Sequence, residues 1–506
     1  MVGGGGCGAG WSWLSIRAVR TVLYYLSCLR NWQRTMKNNI QESAPAMMAK
    51  VTLAKAVAAA TGRVGHGGTT LPGRVARTFD RDLVGRLSRR LPQGAVVVSA
   101  TNGKTTTCAM IAGIMQGADM KVVRNREGAN LTAGIASALL KDSSLKGHPR
   151  SEIGLFEVDE AVFPEVATQG RPRIVLLMNL FRDQLDRYGE LEHIAELWRK
   201  AVGELSDRTT TVLNADDPLV AELAALRPGK TLCYGVADTS AGGMVMQHAS
   251  DSKYCSCGSP FEYEVAFIGH MGIYSCPSCK KSRPSPTVFA EKILLDGMRG
   301  SSFTLVTPDD SIDITLTLPG LYNIYNALAA AACCYRLGIP LKQIQAGLEV
   351  FSAVFGRVER FSIQGKPVCL LLVKNPAGFN EVVRTLMIEP GQKSLLVALN
   401  DKIADGRDIS WIWDVDLEML AGSVVSAVCS GTRAEEMAMR LKYAGLGEES
   451  LSTNPDLRKA LREALDRTPE GETLFVLPTY TAMLALRQLI NEHFETDREL
   501  GDLVWK

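Results

Sequence analysis

The feature that most constrains the fold is the stretch Gly94–Thr107, which reads GAVVVSATNGKTTT. A short β-branched run ends in a small polar turn, and apolar residues then recur at helical spacing from Ala109 to Ile114. The pattern predicts a strand, a loop and a helix in direct succession. Such a loop directs backbone N–H groups and the positive end of a helix at an anion, so we expect it to bind phosphate.

The side chains of this loop favour a nucleotide as the source of that phosphate. Lys104 is suited to contact terminal phosphates and Thr105 to hold Mg²⁺, which makes ATP the expected ligand. The full phosphate-loop spacing would place a glycine at position 98, where the chain has Val98, so the motif is half met. On this segment alone, a polar strand-to-helix turn without a ligand remains the alternative.

Strand-like runs alternate with helical patterns on both sides of an interval rich in Gly, Ser and Cys. The runs before the interval are Val96–Val98, Val122–Val123, Leu155–Val158, Val175–Leu177 and Thr211–Leu213. Those after it are Ser302–Val306, Ile312–Leu318, Cys369–Val373, Ser394–Ala398, Val424–Cys429 and Leu474–Leu477, with a strongly helical pattern over Asn326–Leu337. This rhythm is typical of parallel sheets covered on both faces, and predicts an α/β fold.

We divide the sequence accordingly into a leader, two domains and one small insertion. The predicted segments are a basic leader (1–50), a central ATP-binding domain (51–355) carrying the inserted segment (237–285), and a C-terminal α/β domain (356–506). A length of 506 residues with 46% hydrophobic and 22% charged residues agrees with a soluble protein of several domains.

Charge and hydropathy argue against nucleic acid as a partner and against a membrane-spanning segment. The net charge is +2, and no basic stripe interleaved with aromatic residues occurs beyond the N-terminus, so we expect no nucleic acid. No uninterrupted apolar run reaches the length of a bilayer-spanning helix. Twelve unevenly placed cysteines are too few for a disulfide scaffold and favour a reducing compartment such as the cytoplasm.

The first 50 residues contain no acid before Glu42, and they carry several arginines in an aromatic-rich stretch. Three interpretations stay open: an organellar transit peptide, a membrane-surface amphipathic segment, or a translated leader upstream of a true start near Met47 or Met48. A transit peptide would place the protein in an organelle, a plastid.

Four cysteines cluster in the inserted interval as Cys255-Ser-Cys257, eighteen residues, and Cys276-Pro-Ser-Cys279. Four thiolates at this spacing are typical of a closed, structural Zn²⁺ site in a segment with little core of its own. The CxC pair is one residue shorter than usual. Reduced free thiols, or a partly occupied site, are the alternative.

Acidic and amide side chains follow three of the predicted strands, in the segments Phe156–Glu160, Met178–Gly189 and Leu213–Pro218. The carboxyl ends of parallel strands gather at one edge of a sheet, where ligands bind. Glu157 is the expected carboxylate for Mg²⁺. A solvated strand end, or an ordinary Asn/Asp turn, is the alternative for each segment alone.

Five ordered motifs resemble those of the Mur ligases. They are Ala100–Thr106, Asn179–Gly189, Leu213–Pro218, Gly320–Ala330 and Phe355–Glu359. Mur ligases phosphorylate a carboxylate with ATP and let an amine attack the acyl phosphate. The resemblance therefore implies a Mur-ligase-type ATPase domain with a parallel-rich sheet.

The resemblance is narrower still, because Lys50–Gly94 is too short for the nucleotide-sugar domain of Mur ligases that take UDP-linked substrates. The cysteine insertion and Asp405–Asp414, DGRDISWIWD, resemble the MurT branch, the synthetase subunits of lipid II isoglutaminyl synthases. The similarity runs from about Val51 to Gln488. It implies a zinc-ribbon-like insertion and a Rossmann-like C-terminal domain.

The resemblance also assigns roles to single positions. Those implied to bind ATP are Asn102, Gly103, Lys104, Thr105, Thr106, Asn323 and Arg357. Thr105 and Glu157 would hold Mg²⁺, and the four clustered cysteines would hold Zn²⁺. The catalytic candidates are Lys104, Glu157 and Asp408.

The chain departs from the family pattern at four places. Ala100 stands where the phosphate loop often has Gly, Gln184 and Tyr322 stand where many Mur ligases have His, and Lys374-Asn-Pro376 replaces an Asp-Tyr-Ala-His-type segment. Gln184 disfavours a second Mg²⁺, and Lys374 disfavours the usual amino-acid contacts, which ammonia does not need.

The function implied by the resemblance is ATP-dependent amidation of the D-glutamate α-carboxylate in the lipid II stem peptide to D-isoglutamine. Ammonia would come from a GatD-like glutaminase in a heterodimer, where Asp408 would orient a histidine of the partner. The lipid substrate implies work in the cytoplasm, peripheral to the membrane. The alternatives are an amino-acid-adding ligase of the Mur or folylpolyglutamate type, and a nucleotide-binding scaffold without catalysis.

Overall fold

Two open, parallel-rich sheets organise the chain. A computed structural model describes residues 70–125, 128–182, 191–243, 250–351 and 358–494, together with Thr52 and Thr496. The leader, Gln184 and Arg357 lie outside the described residues, so the predictions made for them are not addressed by the structure.

The strands are short and mostly buried. In chain order they are β1 Ala95–Ser99, β2 Val122–Arg124, β3 Ile153–Val158, β4 Ile174–Leu177, β5 Thr210–Asn214, β6 Thr231–Val236, β7 Glu262–Ile268, β8 Met271–Ser275, β9 Val288–Leu295, β10 Ser301–Val306, β11 Ser311–Leu316, β12 Val358–Ile363, β13 Lys366–Leu371, β14 Lys393–Ala398, β15 Val424–Ser430, β16 Leu451–Thr453 and β17 Leu474–Pro478.

Helices connect most of the parallel strands. They are α1 Leu71–Phe79, α2 Leu83–Ser88, α3 Lys104–Gly117, α4 Thr132–Asp142, α5 Phe163–Gly170, α6 Leu191–Gly203, α7 Pro218–Ala221, α8 Leu321–Leu337, α9 Leu341–Glu349, α10 Pro376–Ile388, α11 Ala434–Tyr443, α12 Leu457–Arg467 and α13 Tyr480–His493. Within the described ranges, no helix is both long and apolar enough to cross a membrane.

The larger sheet has nine strands in the order β11-β10-β9-β6-β5-β4-β1-β3-β2. Pairing is parallel from β2 across to β9, and antiparallel for β9 with β10 and β10 with β11. The carboxyl ends of β1, β3, β4 and β5 therefore meet at one edge, where ligands bind in open α/β sheets.

The smaller sheet has the order β12-β13-β17-β14-β15-β16, and only β12 pairs antiparallel among the strands described. Apolar residues of its strands face helices on both sides and form two separate core clusters. This arrangement is the doubly wound layering expected when every central strand is an unbroken apolar run.

The cysteine-bearing segment leaves the larger sheet after β6 and returns at β9, and these two strands are parallel neighbours. Between them the chain forms the antiparallel hairpin β7–β8. The segment thus takes the position that a crossover helix holds between other parallel strands of the sheet.

The predicted strands of both series are confirmed, and so is the helix predicted over Asn326–Leu337, which begins earlier, at Leu321. The strands β6, β7, β8, β9, β12 and β16 were not predicted. In β9 only Val288 and Ala290 are buried, and the charged pair Glu291-Lys292 breaks the continuous apolar run that marks the central strands.

Candidate functional site

The phosphate loop turns between β1 and α3 at Gly103, whose φ of +84° is left-handed. A Cβ at this position would lie 2.0 Å from Asn326 Oδ1, so only glycine fits. Asn326 belongs to α8, which therefore packs directly against the loop. The first N–H groups of α3 remain available for an anion, because the helix has no side-chain cap.

Lys104, the first residue of α3, lies beneath the loop in an ion pair with Glu160. Its Nζ is 2.9 Å from Glu160 Oε2 and donates to the carbonyl groups of Ala100 and Thr101. Burial alone would lower the pKa of Lys104, but the Glu160 carboxylate, with Glu157 and Asp159 nearby, raises it above its usual value. The ammonium is therefore held charged where a phosphate would arrive.

Thr105 and Glu157 lie side by side, with 3.0 Å between Thr105 Oγ1 and Glu157 Oε1. Asn125 fixes the Glu157 backbone, since its side chain accepts from Glu157 N–H and donates to Glu157 C=O. A hydroxyl and a carboxylate are hard oxygen donors of the kind that Mg²⁺ prefers. These two groups fit a Mg²⁺ ion bound together with phosphate oxygens.

Side chains at the end of β4 hold the loop from the other side. Asn179 accepts a hydrogen bond from Asn102 N–H at 2.9 Å and donates to Asn102 C=O at 3.1 Å. Thr101 Oγ1 accepts from Phe181 N–H at 3.0 Å. The loop shape is thus supported by the Asn179 side chain and the Phe181 backbone, which directly follow the neighbouring strand β4.

A cavity of about 100 Å³ opens beside the loop. Four of the residues predicted to bind ATP line it: Asn102, Gly103, Thr106 and Asn323. Asn323 lies in the first turn of α8, where its Nδ2 donates to Pro319 C=O at 2.7 Å and its Oδ1 accepts from Asn326. The structure therefore brings the candidate adenine contact to the same space as the phosphate loop.

The C-terminal half of the chain closes this cavity through α10. Asn375 caps the helix by accepting from Gly378 N–H, and its Nδ2 donates to Asn102 Oδ1 at 2.9 Å. Sequence analysis did not single out Asn375. The signal was present, since Asn directly before Pro376 is a common way to begin a helix.

The four clustered cysteines meet at one point, with all four Sγ atoms within 4.8 Å of one another. The pairs Cys255–Cys279 and Cys257–Cys276 are each 3.5 Å apart. Tetrahedral Zn–S bonds of about 2.3 Å imply S···S distances of about 3.8 Å, so the four thiols fit a Zn²⁺ ion. The N–H of Cys279 lowers the pKa of the Cys276 thiol to about 6. The N–H of Lys281 acts to lower the pKa of Cys279, but hydrogen bonds with the Cys255 and Cys276 thiols raise it to about 11, so Cys276 is the thiolate of this pair.

Asp408 lies on the smaller sheet, in the exposed loop that follows β14. Its Oδ1 accepts from Ser410 N–H at 2.8 Å, and this hydrogen bond lowers the pKa of Asp408. The carboxylate is therefore ionised at neutral pH and open to a further donor. It does not belong to the group of side chains around the phosphate loop.

Glu160 and Asn326 contact the loop from other elements, and the sequence left both without an assigned role. Glu160 was quoted in the segment Phe156–Glu160, but Glu157 was taken as the functional carboxylate. The two carboxylates have different partners: Glu157 accepts from the hydroxyl of Thr105, and Glu160 accepts from the ammonium of Lys104.

Comparison with known proteins agrees with this geometry. Residues 98–275 match the family "Mur ligase middle domain", and residues 372–483 match "MurT ligase C-terminal". The sequence is 32% identical over 447 residues to a Staphylococcus aureus (strain COL) protein named "Lipid II isoglutaminyl synthase (glutamine-hydrolyzing) subunit MurT", covering 88% of this chain and 98% of that protein. A Streptococcus pneumoniae protein of the same name is 33% identical, over 85% of this chain and 93% of its own length.

Solved structures show the same fold at lower identity. A pseudomurein peptide ligase type C from Methanothermus fervidus superposes with a TM-score of 0.62 at 21% identity, over 80% of each chain. MurF from Acinetobacter baumannii gives a TM-score of 0.60 at 17% identity, over 83% of this chain and 80% of that one. The predicted fold, a Mur-ligase fold with parallel-rich sheets, is confirmed, and the zinc ribbon stays a prediction. By its sequence, along nearly the whole length of those relatives, the chain belongs to the MurT family of Mur ligases.

Proposed function

We propose that this chain is the ATP-dependent synthetase subunit of a lipid II isoglutaminyl synthase. It would convert the α-carboxylate of D-glutamate in the lipid II stem peptide to the amide. The observation that carries the proposal is the arrangement of Lys104, Thr105 and Glu157 around a glycine turn, in a chain whose relatives bear that enzyme's name.

The reaction needs two steps. A carboxylate oxygen of the substrate attacks the γ-phosphorus of ATP, and ADP leaves, which gives an acyl phosphate. The nitrogen of ammonia then attacks the acyl carbon, phosphate leaves with the C–O bond electrons, and the nitrogen loses a proton. Both steps depend on positioning and charge neutralisation more than on covalent participation of the protein.

The residues of the loop supply those two needs. The N–H groups at the start of α3 and the Lys104 ammonium would hold the phosphates, and the Thr105 hydroxyl with the Glu157 carboxylate would hold Mg²⁺. The ion would neutralise charge on the phosphate oxygens. Glu160 keeps Lys104 charged and orients it at the loop. Glu160 is therefore a positioning residue.

Ammonia would come from a GatD-like glutaminase bound to the C-terminal half, as the word "subunit" in the relatives' names suggests. Asp408 would accept a hydrogen bond from an imidazole of that partner and hold the ring in its productive tautomer. An exposed pair of aromatic residues in this half of the chain supports a partner surface. Trp413, shortly after Asp408, and Tyr443 of α11 meet edge to face at 5.7 Å while exposing 49% and 73% of their surface.

We further propose the division into a leader (1–50), a central domain (51–355) with the cysteine segment (237–285), and a C-terminal domain (356–506). The separate sheets support the last boundary, which falls between β11 and β12. We propose Zn²⁺ for the cysteine cluster and a place at the cytoplasmic membrane surface, where the lipid substrate resides.

The direct test is amidation of lipid II by the purified chain with ATP, Mg²⁺ and ammonium chloride, followed by mass spectrometry. Ammonium removes the partner from the question. We expect product from the natural chain and from Lys121→Ala, an exposed-lysine control, and none from Lys104→Ala.

ATP binding without product, beside an active positive control, would contradict the proposal and indicate another acceptor or a scaffold. Product with an amino acid in place of ammonium would indicate an amino-acid-adding ligase.

A further inference from the structure

The tip of the β7–β8 hairpin reaches from the cysteine-bearing segment into the cavity beside the phosphate loop. Ile268 and Met271 line this cavity together with Gly103 and Asn323, and expose only 4% and 2% of their surface. They present apolar atoms to the space that Asn323 bounds with an amide. Further polar side chains, among them Asn179 and Glu381, line the same space. An apolar wall beside placed polar groups is the usual setting for a flat heterocycle.

The size of the cavity limits what it can take. At about 100 Å³ it is well below the about 300–1,000 Å³ of sites for drug-sized ligands. It suits a single ring system next to the phosphate loop and has no room for a peptide or a sugar chain.

A buried histidine anchors the hairpin to the loop. His270 is fully buried at the turn, with its Nε2 3.4 Å from Asp217 Oδ2 and its ring 4.6 Å from that of Phe181. Phe181 N–H donates to Thr101 in the phosphate loop, and Asp217 also accepts from Leu180 N–H at 2.8 Å. The hairpin turn and the phosphate loop therefore share the same supporting residues.

A partly buried arginine provides a second anchor. Arg283 Nε donates to Asp216 Oδ1 at 2.6 Å, and Asp216 Oδ2 accepts from Tyr325 OH at 2.6 Å. Tyr325 lies on α8 and also lines the cavity. The neighbouring aspartates at the end of β5 thus fix the cysteine segment at two points, through His270 and through Arg283.

The Met271 side chain is itself held in place. Asn214 Nδ2 donates to Met271 Sδ at 3.4 Å. A flexible thioether fixed in this way forms a defined surface and not a movable filler.

We infer that Ile268 and Met271 form the apolar wall against which the base of the nucleotide packs, so that the cysteine-bearing segment is part of the nucleotide site. The inference rests on the proposed function in taking the nucleotide to be ATP. It gives the segment a role in ligand binding that a purely structural metal ribbon would not have.

The test separates base binding from phosphate binding in the full chain. Affinities for Mg·ATP and for inorganic tripolyphosphate are measured by titration calorimetry for Ile268→Ala, Met271→Ala and Val265→Ala. Val265 is buried in the same hairpin but does not line the cavity, so it is the matched control. Thermal unfolding and bound zinc are recorded for each variant.

We expect Ile268→Ala and Met271→Ala to bind ATP about tenfold more weakly, a change of about 1.4 kcal/mol. Tripolyphosphate affinity should stay at the natural value in all three variants, and Val265→Ala should retain both affinities. If an alanine variant does not fold, Ile268→Val takes its place, with a smaller loss for ATP and none for tripolyphosphate.

Two results would overturn the inference: unchanged ATP affinity in the wall variants, or equal losses for ATP and tripolyphosphate, which would mean that the hairpin only supports the phosphate loop. A natural chain that binds no ATP at all would instead contradict the proposed function. The two failures are therefore distinguishable.

Discussion

Lys104 and Glu160 form an ion pair at the base of the phosphate loop, with 2.9 Å between Nζ and Oε2 and each side chain only 10% exposed. A pair this buried costs both groups their hydration, so each depends on the other. Burial raises the pKa of Glu160 although Lys104 opposes this, while Lys104 itself stays protonated well into the alkaline range. The Lys104 ammonium therefore places a positive charge at the loop before phosphate binds.

Removing the Glu160 carboxylate should therefore lower the free energy of unfolding, and bound Mg·ATP should restore part of this loss. Glu160→Gln leaves a buried ammonium without its counter-charge, and we expect a loss of about 3–5 kcal/mol of unfolding free energy. Mg·ATP would bring phosphate oxygens to Lys104, so its stabilisation of the variant should exceed that of the natural chain. Thermal unfolding with and without Mg·ATP measures both effects, with the exposed Glu192→Gln as control. Equal ATP stabilisation in both chains would contradict a phosphate contact by Lys104.

Gly103→Ala should remove nucleotide binding, because the left-handed backbone disfavours alanine by about 1–2 kcal/mol and its Cβ would collide with Asn326. Gly113→Ala is the matched control on the same helix, with nothing within 4 Å of the added Cβ. The control should be stabilised by about 0.5–1 kcal/mol. Calorimetric titration with ATP and thermal unfolding measure the contrast, and full ATP affinity in Gly103→Ala would refute the assigned loop geometry.

Cys276→Ser should lose the metal. We expect about one zinc per natural chain, as in closed four-cysteine sites, and a strongly reduced content in the variant together with a lower unfolding temperature. Cys333→Ala, a buried cysteine of α8 outside the cluster, should keep its zinc. Elemental analysis of the purified proteins measures their zinc content. A natural chain that contains no zinc after purification in zinc-supplemented medium would indicate free thiols.

Asp408→Asn should separate the two sources of ammonia. We expect glutamine-driven amidation in the presence of the partner to fall by about 10⁴-fold, as when a carboxylate that orients a catalytic histidine is neutralised. Ammonium-driven amidation should remain, because Asp408 is exposed and its carboxylate is held by Ser410, not by a residue of the phosphate loop. The exposed Glu435→Gln on α11 should alter neither rate. Parallel loss of both activities would exclude the proposed role.

Local pattern predicted the phosphate loop and most strands, because both depend on residues that are neighbours in the chain. The run Ala95–Ser99, the glycine at 103 and the apolar spacing of α3 together identify a strand–loop–helix unit. The MurT resemblance added Asn323 and Asp408, which no local pattern marks as functional.

The residues that contact the phosphate loop from other elements could not be predicted, because they are not its neighbours in the chain. Asn326 and Asn375 contact the loop from positions more than 200 residues further along the chain, and neither the motif that contains Asn326 nor the helix start at Asn375 indicates that contact. Tertiary packing alone brings them there. The strand β9 was missed for a different reason: only Val288 and Ala290 are buried, and the charged pair Glu291-Lys292 interrupts its apolar run.

The parallel pairing of β6 with β9 makes the cysteine segment an obligatory part of the chain's path. Neighbouring parallel strands require a connection of about a dozen residues or more, which runs back along the sheet. Deleting 237–285 would leave Pro286 and Thr287, a link of about 7 Å at full extension. The return along the six residues of β6 is about 20 Å. The segment therefore cannot be trimmed away like a surface loop, and shortening it would force β9 out of the sheet or require a new crossover in its place.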